Sequence, residues 1–225
     1  MKLAIFDFDG TLFPEQTIPF FMKYYVKAGY PKGAYSKYYM RVMGKVLKYK
    51  NPLIKDYDKE QFRKEAALLF IQMFNGMDKE ILSRFLSDVA EKVIENLNIA
   101  IVQEVKKCKA EGYYTILLSG CYTPILEYVA EAIKIDQVIG TPIEESHIVQ
   151  EKVAIDGLDI ATGKRKVQKL LKSMQGKAIN WEESTAYGDS SYDRNILELV
   201  GYPVAVRPDE GLKEIAMKNN WRVIK

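Results

Sequence analysis

The feature that most constrains this chain is its first stretch, in which a short apolar run leads directly into two aspartates. The run Leu3–Phe6 is followed by Asp7, Phe8 and Asp9 and then by a Gly-Thr turn. Side chains alternate between the two faces of a strand, so a strand continued to Asp9 would place both carboxylates on one face. Neighbouring carboxylates repel each other and resist desolvation, and a cation between them offsets both effects. Because Mg²⁺ prefers oxygen ligands, the stretch predicts a metal site, with a solvated turn as the simpler alternative.

The composition is that of an ordinary globular protein. The chain has 225 residues, of which 48% are hydrophobic and 28% are charged, and its net charge is only +3. This length suits one large domain or a core with a smaller second unit. No nucleic-acid partner is expected from so small a net charge. The single histidine, His147, argues against a metal site built from several histidines and leaves only one base for a Ser-His-Asp triad.

The sequence also predicts the environment of the protein. No apolar run is long enough to cross a bilayer, so no transmembrane segment is expected. Asp7 and Asp9 interrupt the first apolar run, which is therefore not typical of a signal peptide. Cys108 and Cys121 are too few for a disulfide framework and too far apart for a CxxC motif. A reduced, cytoplasmic protein is expected.

Strand-like and helix-like segments alternate in the second half of the chain. Short apolar runs are predicted as strands near residues 113–118, 137–141, 184–187, 202–206 and 221–224. Strands that alternate with helices predict an α/β fold with a parallel, doubly wound, Rossmann-like sheet. Residues 15–95 show helical periodicity and no convincing strand, so they are interpreted as a helical unit inserted into a core formed by residues 1–14 and 96–225.

Three polar clusters each follow a predicted strand: Asp7 with Asp9, Ser119 with Gly120, and Asp189 with Asp193. Ligands of doubly wound sheets bind at the carboxyl ends of the strands, so these clusters are expected to form one site. Asp7, Asp9 and Asp189 offer oxygen ligands for Mg²⁺, and Asp193 can bind the ion or orient a ligand.

The same clusters suit phosphoryl transfer. The Ser119 hydroxyl and the N–H groups of Gly120 and Cys121 can grip an anion, and a lysine from residues 164–166 can add a fixed positive charge. One carboxylate can attack phosphorus and form an aspartyl-phosphate, while a second protonates the leaving oxygen and later activates water.

Taken together, these motifs resemble those of the haloacid dehalogenase superfamily of phosphohydrolases, in particular its subfamily IB. This is the phosphoserine-phosphatase-like branch, with an α-helical cap inserted after the first motif. The matching segments are Asp7–Leu12 for the first motif, Thr115–Gly120 for the second, Gly188–Asp193 for the fourth, and Gly201–Val206 with Pro208-Asp209 for the tail of that branch. The resemblance covers most of residues 1–14 and 100–225.

The resemblance implies a role for each matching residue. Asp7 would be the nucleophile and Asp9 the general acid and base. Mg²⁺ would be held by the Asp7 carboxylate, the Asp9 backbone carbonyl and Asp189, and Ser119 and Gly120 would hold the phosphoryl oxygens. This refines the reasoning from the strand, since the Asp9 side chain would stay free of the metal.

The lysine of the third motif has two candidates, Lys164 and Lys166. The lysine of this family usually has an apolar residue four positions later. Lys166 has Leu170 at that position and Lys164 has Gln168. The spacing favours Lys166.

The substrate is expected to differ from phosphoserine. In the phosphoserine phosphatases that this chain resembles, a glutamate shortly after the first motif pairs with the amino group of the substrate. Gln16 stands at the matching position here, and an amide lacks the negative charge that an ammonium group favours. The resemblance thus implies a Mg²⁺-dependent phosphatase for a small phosphomonoester, with Gln16 among the substrate-binding residues.

The inserted unit is strongly basic. Between Phe20 and Lys64 there are 12 Lys or Arg against 3 Asp or Glu, with eight tyrosines. A solvated face and half-buried tyrosine packing explain this pattern most simply. The alternative is a phospholipid-type or membrane-surface phosphatase whose basic cap makes peripheral contact with anionic lipid. A non-enzymatic phosphate-binding protein on the same fold and a phosphotransfer receiver domain are further alternatives, and the oligomeric state is left open.

Overall fold

The computed structural model describes residues 1–51, 53–54, 57, 59–143 and 159–225. The segment around His147, which the sequence assigns to a loop or hairpin, lies outside these residues. Within them, no helix combines the length and the apolar character that crossing a membrane requires.

The chain forms two compact units. The first contains Met1–Gln16, Ala90–Thr141 and Ile160–Lys225, and the second contains Thr17–Val89 with residues 142–143 and 159. All residues of the predicted site belong to the first unit.

The first unit is built on a six-stranded sheet in which every neighbouring pair is parallel. Its strands are β1 (Leu3–Phe6), β2 (Tyr114–Tyr122), β3 (Gln137–Thr141), β4 (Thr185–Gly188), β5 (Tyr202–Val206) and β6 (Arg222–Ile224). Their order is β3-β2-β1-β4-β5-β6, so β1 is a central strand and lies between β2 and β4. The predicted α/β, doubly wound fold is confirmed, and the switch in strand order at β1 is where such sheets bind ligands.

Helices connect the strands and form the second unit. Those that follow residue 95 are α5 (Ile99–Ala110), α6 (Thr123–Ile133), α7 (Lys164–Ser173), α8 (Arg194–Leu197) and α9 (Glu210–Lys218), with a 3₁₀ turn at Ser191–Asp193. Those that precede it are α1 (Thr17–Lys27), α2 (Lys32–Lys50), α3 (Lys59–Gln72) and α4 (Lys79–Glu95). Asp209 caps α9 by accepting a hydrogen bond from the Leu212 N–H at 2.8 Å.

Packing on both faces explains why β1 is apolar throughout. Leu3 and Ile5 belong to a buried cluster that includes Leu170 of α7 and Leu212 of α9. On the opposite face, the Phe6 ring stacks on Tyr187 with centroids 4.5 Å apart. A central strand of a parallel sheet is covered on both sides, which favours a continuous apolar run over alternation.

The second unit has an aromatic core of its own. Tyr25 and Phe85 pack edge to face at 5.8 Å, and Phe74 lies 4.9 Å from Phe85. Three of the tyrosines counted above are buried, namely Tyr25, Tyr38 and Tyr57. Tyr39 and Tyr49, by contrast, are exposed.

A buried serine satisfies the first backbone group of β1, and its removal is expected to destabilise the sheet. The Ser184 hydroxyl accepts a hydrogen bond from the Leu3 N–H at 2.9 Å and donates one to the Asn180 carbonyl at 2.6 Å. Ser184→Ala leaves that N–H without a partner, so the free energy of unfolding should fall by about 1–3 kcal/mol. Urea denaturation measures this. The exposed Ser36→Ala is the control and should change stability by less than about 0.5 kcal/mol, and equal stability of both variants would contradict the assignment.

Candidate active site

The register of the sheet brings the predicted polar clusters to one edge. Phe6 pairs with Leu117 of β2 and with Tyr187 of β4. Asp7 follows this aligned row by one residue, and Ser119 and Asp189 follow it by two. Because the three strands are parallel and adjacent, their side chains emerge at the same carboxyl end of the sheet.

Three carboxylates form the centre of the site. One oxygen each from Asp7, Asp189 and Asp193 lies within 4.8 Å of the others. Asp7 and Asp193 are buried, and Asp189 is half-buried. The Asp9 carboxylate is not part of this group in the described chain, and only its backbone carbonyl was expected to contact the metal.

A buried lysine joins two of these carboxylates. Lys166 Nζ lies 2.6 Å from Asp7 Oδ1 and 2.5 Å from Asp193 Oδ1. Burial alone lowers the pKa of this lysine, but the Asp193 and Asp7 carboxylates outweigh it and raise the pKa above its ordinary value. The ammonium is therefore charged. Lys164, the other candidate, is exposed on the same helix.

The carboxylates carry more negative charge than Lys166 can balance. Burial, together with Asp193 and Asp189, raises the pKa of Asp7 well above its ordinary value, although Lys166 opposes this shift. Burial and Asp193 raise the pKa of Asp189 to about 7. Three carboxylates around one ammonium leave an excess of negative charge, which a divalent cation would offset. All of the donor atoms are oxygens, and this donor set fits a hard ion such as Mg²⁺.

Asp193 is fixed from both sides. Its Oδ1 contacts Lys166, and its Oδ2 accepts hydrogen bonds from the Ser190 hydroxyl at 3.1 Å and the Ser190 N–H at 3.3 Å. The preceding Gly188 allows this close turn, because a Cβ there would lie 2.7 Å from the Asp193 Cβ. Since both oxygens of Asp193 are occupied, its geometry suits a residue that orients Lys166.

Gly10 lies in the turn that the sequence predicts, and it is also in close contact with Asp189. Its φ is +84°, and a Cβ added there would lie 2.1 Å from Asp189 Oδ2. No side chain fits without displacing the carboxylate. Glycine at this position thus allows the loop after β1 to approach the loop after β4.

Ser119 and Gly120 lie at the carboxyl end of β2, where its pairing with β3 is irregular between Leu118 and Tyr122. Ser119 is buried, and its hydroxyl accepts a hydrogen bond from the Cys121 N–H at 3.0 Å. The Gly120 carbonyl accepts one from the Thr141 hydroxyl at 2.7 Å. Their predicted contact with phosphoryl oxygens stays a prediction.

Gln16 is exposed and directly precedes α1. It is the last residue of the first segment of the first unit. Its role in substrate binding also stays a prediction.

Two residues after β5 support the site, Arg207 and Asp209, and no role in it was predicted for either of them from the sequence. Arg207 Nη2 donates hydrogen bonds to the Gly10 carbonyl at 3.0 Å and to the Pro14 carbonyl at 3.3 Å. The Asp209 N–H donates to the Asp189 carbonyl at 2.8 Å. Arg207 has a φ of 39°, which is uncommon for a residue other than glycine. The only sequence signal near Arg207 is the family-like tail that flanks it. No local pattern predicts its contact with Gly10, which is 197 residues away.

The fold and the site together define an α/β protein with an acidic cluster at the switch point of a parallel sheet. The family model of haloacid dehalogenase-like hydrolases matches residues 4–198, and the chain belongs to this family. Its relatives support a phosphatase similar to the phosphoserine phosphatases.

Two relatives of known name illustrate this. The chain is 26% identical over 231 residues to a histidinol-phosphatase of Neisseria meningitidis serogroup C, covering 99% of this chain and 98% of that protein. It is 25% identical over 154 residues to a phosphoserine phosphatase of Archaeoglobus fulgidus, covering 68% of this chain and 42% of that protein. The match thus spans less than half of the archaeal enzyme.

Solved structures share the fold. A protein with unknown function from Bordetella pertussis Tohama I superposes with a TM-score of 0.77 at 22% identity, covering 100% of this chain and 98% of that one. A substrate-bound phosphoserine phosphatase gives a TM-score of 0.59 at 18% identity, with coverage of 99% and 92%. At these identities the structures show the fold alone.

Substitution of Gly10 is expected to disrupt the acidic cluster. Gly10→Ala places a methyl group against Asp189, so the affinity for Mg²⁺ should fall by at least about tenfold, measured by isothermal titration calorimetry. Gly29→Ala is the matched control, because Gly29 has a similar φ of +81° but nothing within 4 Å of an added Cβ. It should lose stability through backbone strain and keep its Mg²⁺ affinity. Unchanged Mg²⁺ affinity in Gly10→Ala would contradict the geometry described here.

Proposed function

We propose that this chain is a Mg²⁺-dependent phosphatase that hydrolyses a small phosphomonoester through an aspartyl-phosphate formed on Asp7. The observation that carries the proposal is a buried Asp7 carboxylate in contact with Lys166, 2.6 Å away, inside an acidic cluster. A carboxylate is a nucleophile only while it is ionised. Lys166 favours the ionised form of Asp7, and a bound cation would favour it further.

The proposed metal ligands are the carboxylates of Asp7 and Asp189 and the backbone carbonyl of Asp9. Asp193 belongs to the same acidic cluster, but its contacts with Lys166 and Ser190 favour an orienting role. When bound, Mg²⁺ supplies positive charge that stabilises the phosphoryl group during transfer.

In the first chemical step, an Asp7 carboxylate oxygen attacks phosphorus and the bond from phosphorus to the ester oxygen breaks. Asp9 donates a proton to the leaving oxygen. In the second step, Asp9 removes a proton from the attacking water, the aspartyl-phosphate bond breaks, and inorganic phosphate leaves the regenerated Asp7. Lys166, Ser119 and the N–H of Gly120 hold the phosphoryl oxygens throughout.

The second unit is proposed to act as the helical cap, residues 15–95 in the sequence interpretation, and to select the substrate together with Gln16. The similarity to the Neisseria histidinol-phosphatase extends over nearly the whole of both chains. This supports histidinol phosphate as a test substrate beside phosphoserine. A comparison of kcat/KM over a panel of phosphorylated metabolites, with Gln16→Glu as the paired variant, distinguishes these substrates.

Removal of the nucleophile should abolish turnover. The Asp7→Asn amide is a poor nucleophile, so neither product nor phosphoprotein should form. Rapid acid quench followed by mass spectrometry should detect one phosphoryl group on Asp7 in the unmodified protein. EDTA should remove activity and added Mg²⁺ should restore it. Retained turnover in an Asp7→Asn preparation free of contaminating phosphatases would contradict the mechanism.

The two candidate lysines offer a matched pair. Lys166→Met removes the cation from between Asp7 and Asp193, so kcat should fall by about 10²–10³. Lys164→Met changes an exposed side chain on the same helix and should leave kcat within about twofold of the original. Steady-state kinetics on p-nitrophenyl phosphate provide the measurement. The assignment fails if the two variants lose activity equally.

A further inference from the structure

Helix α2 exposes an apolar stripe. Met40, Met43 and Leu47 have exposed fractions of 69%, 38% and 68%. Their spacing of three and seven residues places them on one side of the helix. Leu53, just beyond the end of α2, is 87% exposed. Single exposed apolar residues are common, but a row of this kind is typical of a contact surface.

The opposite side of α2 is the one that packs inside the second unit. Tyr38 is 8% exposed, and its ring lies 6.1 Å from the Phe70 ring of α3. On the same side of α2, Lys45 Nζ contacts the carboxylate of Glu65 in α3 at 2.6 Å. The apolar stripe is therefore on a different side of α2 from the residues that pack against α3.

Cations surround the stripe. Helix α2 contains six Lys or Arg residues and no Asp or Glu. Four of the six are exposed: Lys32, Lys37, Arg41 and Lys50. At about 100° per residue, Lys37 and Lys50 fall on the two flanks of the Met40–Leu47 row. Tyr39, which is 53% exposed, falls on the same flank of α2 as Lys50 but about three turns earlier in the helix.

We propose that the α2 surface, formed by Met40, Met43 and Leu47 with Lys37 and Lys50, docks on an anionic lipid surface. Apolar side chains that enter the boundary between headgroups and acyl chains, beside lysines that contact lipid phosphates, are the features of an interfacial helix. Tyrosine also favours that boundary. The proposal concerns a surface of the second unit and is independent of the proposed catalytic function.

Charge argues against other occupants of this surface. A second copy bound through the same surface would place lysines against lysines, which is unfavourable. A nucleic acid would attract the lysines but would leave the apolar row in contact with phosphates and water. An anionic membrane complements both components.

The experiment is co-sedimentation of the intact protein with phosphatidylcholine vesicles, with and without phosphatidylserine. Binding should require phosphatidylserine and weaken as salt increases. Met40→Gln/Leu47→Gln should lower the partition coefficient by at least about tenfold. Lys37→Gln/Lys50→Gln should lower it by roughly 25-fold, since each lysine near the surface contributes about fivefold. Glutamine is a good helix former, so both variants should keep α2 intact.

The first unit offers a matched control. Met217 in α9 is 70% exposed, close to the value for Met40. Met217→Gln and Lys218→Gln should leave vesicle binding unchanged.

Several outcomes would overturn the proposal. One is the absence of binding to phosphatidylserine vesicles at low salt. Another is an equal loss of binding in Met217→Gln. A third is a concentration-dependent dimer, seen by analytical ultracentrifugation, that Met40→Gln/Leu47→Gln dissociates, since a second copy would then cover the α2 surface. Binding that needs phosphatidylserine and is lost only in the α2 variants supports the proposal, whatever the phosphatase activity.

Discussion

Lys166 sits between Asp7 and Asp193, and the rest of the site depends on this contact. Its Nζ lies 2.6 Å from one carboxylate and 2.5 Å from the other, away from solvent. A buried ammonium with no partner would lose its proton, and a buried carboxylate with no partner would gain one. Lys166 and Asp7 therefore each favour the charged form of the other, although burial and Asp193 raise the pKa of Asp7 well above its ordinary value. Removal of either partner leaves an uncompensated buried charge, which is far more destabilising than loss of an exposed pair.

The loops around this ion pair hold one another in place. Gly10 allows the loop after β1 to reach Asp189, and Gly188 allows the turn that carries Asp193 to close. Arg207 then bonds to the carbonyls of Gly10 and Pro14. Carboxylates that repel one another stay close only when their backbones are fixed, and the contacts among these loops fix them.

The two units differ in what they offer. The first carries the acidic cluster and the features shared with haloacid dehalogenase-like hydrolases. The second has an aromatic core around Tyr25 and Phe85 and a helix, α2, with six Lys or Arg residues and two exposed methionines. Acid-base chemistry needs fixed buried groups, whereas recognition of a surface needs exposed ones. Under the two proposals made above, the first unit carries the chemistry and the second contacts a lipid surface.

The alternation of strands and helices and the presence of Asp7 and Asp189 at strand ends were predicted from the sequence, and the resemblance to the haloacid dehalogenase family favoured Lys166 over Lys164. Each depends on a local pattern: an apolar run, a turn signal, or a residue four positions later on a helix. The bounds of the elements differ by a few residues, as at β2, which continues to Tyr122. The roles of the site residues, those of Asp7, Asp9 and Lys166 as well as those of Ser119 and Gln16, are still predictions.

The sequence by itself determined the kind of fold and the groups available for chemistry, because hydrophobic period and residue type are local properties of the chain. Only the tertiary structure decided which groups meet. It paired Lys166 with Asp193, brought Arg207 to Gly10 and turned the methionines of α2 outward. These contacts join residues far apart in the chain. Their geometry follows from strand register and loop closure, which no local pattern encodes.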